Sequence, residues 1–151
     1  MKTIKNVIVL AILTLTLTGA FAQSGETKNL LINKWIIDKE AMKPIIGIML
    51  ATNPQFSTLD AAGKEGFLNT IVDQQLSGIK LEYRKDGTFT GSNPDGSNTT
   101  GNWTLSTNEK ELTTKAGDKP EKKYNIVAVS KTKLHLMGEG NREIFLKTEN
   151  Q

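Results

Sequence analysis

The chain has 151 residues, of which 37% are hydrophobic, 23% charged and none cysteine, the composition of one ordinary globular domain. Disulfide scaffolds, cysteine-ligated zinc sites and thiol nucleophiles are excluded, because each needs a sulfur this chain does not carry. The formal charge is +3; two of the lysines fall in a predicted leader, and the remaining 17 basic against 16 acidic residues give no clustered basic face of the kind nucleic acid requires.

Residues 1 to 22 read as a signal peptide. Lys2 and Lys5 precede the apolar run Val7 to Leu17, and Ala20-Phe21-Ala22 follows with the small-x-small pattern of a signal peptidase site. The apolar run is too short for the ~20 residues of a bilayer span, and no cysteine follows it to carry a lipoprotein anchor. Cleavage after Ala22 leaves a domain of residues 23 to 151, expected to be a soluble periplasmic or secreted monomer with no integral membrane segment. Within it, Gln23 to Asn29 is polar and reads as a loose arm.

Leu30 to Asp38 (LLINKWIID) predicts a first strand whose nearly continuous hydrophobicity suits cover on both faces or a place in a closing barrel. The next forty residues change period. Pro44 can occupy the first turn of a helix running through Ile45 to Leu50, and Thr52-Asn53-Pro54 ends it. Ser57-Thr-Leu-Asp60 matches a capping box. Beyond it Leu59, Phe67, Leu68, Ile71, Val72 and Leu76 recur at three- and four-residue spacings, predicting a second helix that Ser77-Gly78 stops. From Ile79 the period is two. Asp86-Gly87 makes a tight hairpin, and further turn signals at Asn93 to Gly96, Thr107-Asn108, Gly117-Asp118, Ser130-Lys131 and Gly138 to Asn141 separate short strands rich in Thr, Val, Ile and aromatics.

The count is one strand, two short helices inserted between strands 1 and 2, then seven more strands in a mainly β antiparallel meander. Eight such strands expose two edges unless the sheet closes, so an up-and-down eight-stranded barrel is expected. An open curved sheet packed on the helices is the alternative.

These residues resemble the small exported lipocalin-like proteins common in Bacteroidetes, members of the calycin group. The resemblance covers most of the mature chain. It rests on Lys34-Trp35, on Lys85-Asp-Gly-Thr-Phe89, on Gly101-Asn-Trp-Thr-Leu105, and on the strand, turn and Leu-x-Leu strand of Ile126 to Leu136. It implies a calycin barrel with a short helical segment at one end and, for most members, no assigned ligand. Lipocalins carry Gly-x-Trp in the first strand, whereas this chain has Asn33-Lys34-Trp35 there and its Gly-x-Trp at Gly101 to Trp103. An arginine packs across the first-strand tryptophan of lipocalins; by this resemblance Arg142 is the candidate to lie over Trp35 and close the barrel, a cation–π contact worth ~0.5 to 2 kcal/mol. The other reading leaves Arg142 as a solvated turn residue.

Tyr83, Phe89, Trp103, Leu105, Ile126, Leu134, Leu136 and Ile144 share one parity of their strands and should face one interior. With Trp35 and Tyr124, the set Tyr83, Phe89, Trp103, Ile126, Leu134 and Leu136 forms the candidate ligand-binding wall for a small hydrophobic molecule, with Tyr83 and Tyr124 as polar handles. Against it stands a filled core, usual for small barrels. Val127, Val129, Met137 and Phe145 take the opposite parity and could form an outer surface for an envelope protein partner. The apolar segment Ile45 to Leu50 reads either as a lid or membrane-docking element, or as a wedge against the Phe67/Ile71 stripe.

His135, the only histidine, alternates with Leu134 and Leu136 and should face outward, and no His, Asp or Glu cluster has metal-ligand spacing. Asn93-Pro-Asp-Gly-Ser97 resembles a calcium loop only in part, since the twelfth position is Thr104 rather than a glutamate. Ser77-x-x-Lys80 and Ser130-x-x-Lys133 lack the partner motifs of a serine–lysine enzyme, and no phosphate loop or Gly-x-Ser-x-Gly occurs. A binding protein without cofactor, not an enzyme, is the expectation.

Overall fold

The computed structural model describes residues 25 to 149, so the leader lies outside the described residues. Its strands are β1 (Lys34–Ile37), β2 (Lys80–Tyr83), β3 (Thr88–Ser92), β4 (Asn98–Leu105), β5 (Glu111–Lys115), β6 (Lys122–Val129), β7 (Lys133–Gly138) and β8 (Arg142–Thr148). Each pairs antiparallel with the next, and β1 also pairs with β8, with Trp35 opposite Thr148 and Ile37 opposite Leu146. The ring is closed, so the expected eight-stranded barrel is present and neither end strand is left as an edge.

The turns form for the reasons their residues suggest. In the β2–β3 hairpin the Asp86 carboxylate accepts from the Thr88 backbone N–H at 2.9 Å and from its hydroxyl at 2.7 Å, while Gly87 takes a left-handed φ of 84°. Gly101 in β4 serves a different need. A Cβ there would overlap the Lys115 carbonyl oxygen and come within 2.8 Å of the Phe89 ring, so the wall bends tightly only because the side chain is missing.

Helices depart from the sequence expectation in number and in bounds. The segment expected to be a loose arm begins a short helix, α1 (Glu26–Leu31), which also takes Leu30 and Leu31 out of the predicted first strand. Thr27 and Leu31, four residues apart, are its buried positions. Three helices, not two, lie between β1 and β2: α2 (Lys39–Leu50), α3 (Pro54–Ser57) and α4 (Ala61–Leu76). Asp38 caps α2, so the helix starts before Pro44, whose missing N–H leaves the exposed Glu40 carbonyl without its helical donor. The Ser57–Asp60 capping box does not form as such: Asn53 caps α3, and Asp60 itself caps α4 by accepting from the Gly63 N–H at 2.8 Å. Ser77-Gly78 ends α4 as expected, with Gly78 at φ 85°.

Packing follows from these positions. α1 seals the end of the barrel where β2 turns into β3: Leu31 joins the core, and its carbonyl accepts the Trp35 indole N–H at 3.0 Å. α2 lies on α4 and on β8, tied by Lys39, whose ammonium donates to Asp73 and to Ser77 at 2.7 Å each. Met42 of α2 and Leu76 of α4 reach the core from the opposite end. The wedge reading of α2 is therefore partly met, yet Ile48 and Met49 remain 75% and 73% exposed.

One strand breaks parity. Between Ile126 and Ala128 the β6–β7 register slips by a residue, so Val127 and Ala128 together oppose His135. Past the bulge the inward position moves to Val129, which packs against the core, contrary to the outer-surface expectation; Val127 is exposed, and Met137 and Phe145 are half-buried.

Candidate functional site

Inward-facing side chains fill the two halves of the barrel differently. Towards the α1 end stand large residues, among them Trp35, Trp103, Leu112 and Leu134, all buried. The Trp103 indole N–H donates to the Arg84 carbonyl at 3.0 Å, which fixes that ring beneath the first hairpin. Towards the other end the inward positions of β3, β4 and β5 carry Gly91, Thr99, Thr114 and then Ala116. Small side chains there leave space that their larger counterparts would close.

That space is a cavity of about 200 Å³ opening between the β3–β4 and β5–β6 turns. Tyr83 is its floor: it is 3% exposed and stands edge-on to Trp103 with ring centroids 5.6 Å apart. Phe89, Leu81, Leu136 and Ile144 give apolar wall, Tyr124 lies higher, and Asn93, Lys119, Pro120 and Lys122 reach the mouth. Burial pushes the Tyr83 phenol up, and the neighbouring Tyr124 adds to the effect, so it is a neutral hydroxyl at ordinary pH. Burial also raises Tyr124; a hydrogen bond with Thr114 pulls the other way, and Glu139 adds a smaller rise. No hydrogen bond from the Tyr83 hydroxyl reaches a described side chain. The cavity is an apolar cup with two phenols and two threonines in its wall, suited to enclosing a compact molecule and offering it hydrogen bonds.

The candidate wall divides accordingly. Tyr83, Phe89, Tyr124 and Leu136 line the cavity, whereas Trp35, Trp103, Ile126 and Leu134 belong to the packed half. Pocket and filled core, set against each other on the sequence, are both present at opposite ends. Arg142 and Trp35 are not brought together. Trp35 pairs with Thr148 and Arg142 with Gly138, six residues along β8 or ~20 Å away at strand rise, and Arg142 is exposed. The barrel closes through backbone pairing of β1 with β8. His135 faces outward as expected and stacks on Phe145 at 4.0 Å.

Thr99, Thr114, Lys119 and Lys122 were not singled out by the sequence pattern. The available signal was size: a run of inward positions too small to meet across a barrel.

The geometry defines a closed antiparallel barrel with a single-ended pocket. No family model matches the chain, and no curated protein does. Among solved structures, the crystal structure of a DUF4847 family protein from Bacteroides vulgatus ATCC 8482 is similar, with a TM-score of 0.53 and 16% sequence identity over 83% of this chain and 98% of that one. At that identity the likeness is one of fold.

Proposed function

We propose that this is an exported, lipocalin-like binding protein that holds a small, largely apolar molecule in the cup above Tyr83, in the periplasm or outside the cell. The observation that carries the reading is the cavity itself, enclosed by the barrel wall and floored by a buried tyrosine. At about 200 Å³ it is smaller than the ~300 to 1,000 Å³ of drug-sized sites, while a dry cavity of ~150 Å³ suffices for benzene. A ligand of one ring or a short chain fits that scale; a long acyl chain does not. Export rests on the leader pattern at Lys2 to Ala22. Among the described residues no helix is long and apolar enough to cross a membrane. Binding is favoured over catalysis because the deeper polar groups of the cup, on Tyr83, Tyr124, Thr99 and Thr114, are hydroxyls set in a mainly apolar wall.

Native mass spectrometry of the protein purified from the cells that make it tests this. A retained small molecule is expected, and Thr114→Leu, which fills the cup, should lose it without lowering the melting temperature. Protein that carries nothing, and whose Gly91, Thr99 and Thr114 amide resonances ignore small aromatic and aliphatic probes, would overturn the reading.

A further inference from the structure

We infer that the cup takes a small amphiphilic anion, an aromatic or short-chain carboxylate whose apolar part lies against Phe89 and Leu136 while its charge sits at the mouth between Lys119 and Lys122. The inference rests on the cup being a binding site and adds the chemical class of the ligand. Among the described residues, the charged side chains that line the cavity or its mouth are Lys119 and Lys122, with no carboxylate. Neither lysine forms an ion pair with a described residue, whereas Lys39, Lys43, Lys80, Arg84 and Lys123 each do. Two uncompensated ammonium groups over an apolar cup raise the local concentration of anions and favour a bound charge held at the rim. Asp118 and Glu121 share the β5–β6 turn but are exposed and outside the lining, and Glu139, whose charge reaches Tyr124, is outside the lining too.

The deeper polar groups fit the same occupant. Tyr83 lies 3% exposed with a hydroxyl that meets no described side chain, so a ring substituent or an enclosed water has an unused donor there. The Tyr124 phenol, next to Thr114, stands between that floor and the lysines.

Matched probes test the charge separately from the cavity. Hydrocinnamate and hexanoate are titrated into the isotope-labelled protein at low salt beside hydrocinnamyl alcohol and hexanol, with amide shifts at Gly91, Thr99 and Thr114 as the reading. Each carboxylate should bind about fivefold or more tightly than its alcohol. That preference should shrink towards unity in Lys119→Gln/Lys122→Gln and in half-molar salt, where screening removes it. Both substitutions lie in or beside an exposed turn, and an unchanged melting temperature shows that the fold is intact. Equal binding of carboxylate and alcohol, or a preference that survives in the double variant, overturns the anion inference and leaves the binding cup standing. Silence with all four probes overturns both.

Discussion

Trp35 and Leu31 are joined by a 3.0 Å hydrogen bond from indole N–H to backbone carbonyl, and both are fully buried. The bond fastens the sealing helix α1 to the strand that closes the ring. Trp35→Phe keeps a ring but leaves that carbonyl buried without a donor, and should cost about 2 to 4 kcal/mol from lost volume and lost hydrogen bond together. Urea unfolding checks it; a midpoint equal to that of the parent protein would show that the two elements are held by something else.

Two glycines should respond in opposite ways to alanine. Gly101→Ala drives a methyl group into the Lys115 carbonyl and should destabilise by about 3 kcal/mol or more, since backbone rather than a flexible side chain has to move. Gly66→Ala, in α4 with open space around the added carbon, should stabilise by about 0.5 to 1 kcal/mol. Thermal melts of the pair separate strand curvature from helix propensity within one domain.

The bulge in β6 gives a sharp contrast between neighbours. Val127→Asp, on the exposed side, should change stability by less than about 1 kcal/mol, whereas Val129→Asp places a carboxylate against the core and should cost several kcal/mol, about 3 or more. Unbroken alternation from Ile126 would require Val129 to tolerate the charge, so denaturation of these two variants decides whether the register slips.

Tyr83 couples stability to alkaline pH. Its folded-state phenol titrates above the ordinary value of 10.0, so the folded protein keeps a proton that the unfolded chain releases. The resulting stabilisation is fully present below about pH 10 and is lost as pH rises from there. Stability measured between pH 9 and about pH 12 should fall, and Tyr83→Phe should flatten the slope. An ultraviolet titration in which both tyrosines ionise at the value of free tyrosine would refute the burial of this group.

Asp86 works at the other end of the pH scale. Its carboxyl is held below 3.8 by hydrogen bonds from the Thr88 hydroxyl and backbone N–H. Folded-state pKa is thus depressed, and the contribution is fully present above the ordinary value of 3.8 and is lost as pH falls from there through the folded-state value. Asp86→Ala should lower the melting temperature at neutral pH, and the gap to the parent protein should close in acid well below pH 4.

Local chemistry made the β half of the molecule legible. Asp86-Gly87, the Asn93 to Gly96 turn and Gly117 sit where the chain reverses, and alternation from Ile79 onward placed Tyr83, Phe89, Leu134 and Leu136 inside. Alternation misled at Val129 because the inserted residue changes no composition, only register. The start of the mature chain misled for a different reason: Glu26 to Asn29 is polar on the face α1 shows to solvent, and its buried side is carried by Thr27 and Leu31 alone. The resemblance that sets Arg142 over Trp35 implies neighbouring first and last strands, which the barrel has, but their stagger along the barrel axis decides which residues meet. Part of the cavity wall, at Tyr83, Phe89 and Leu136, was visible as aromatic and leucine parity. The mouth was not, since Lys119 lies in the turn before β6 and Lys122 at the first position of that strand, and where they point depends on how β5 and β6 lean.

The seam between β1 and β8 also governs how the molecule assembles. Trp35 must find Thr148 across the full run of hairpins, and the join is short: Trp35, Ile36 and Ile37 pair with β8, flanked by hydrogen bonds from the Asp38 N–H to the Phe145 carbonyl and from the Glu149 N–H to the Lys34 carbonyl. Hairpins from Tyr83 onward can form early from near neighbours, while this suture waits on the entropy of closing a loop on the order of a hundred residues. Refolding should therefore proceed in milliseconds to seconds rather than microseconds, and a chain stalled just before that stitch would carry two unsatisfied strand edges, open to another unfinished copy.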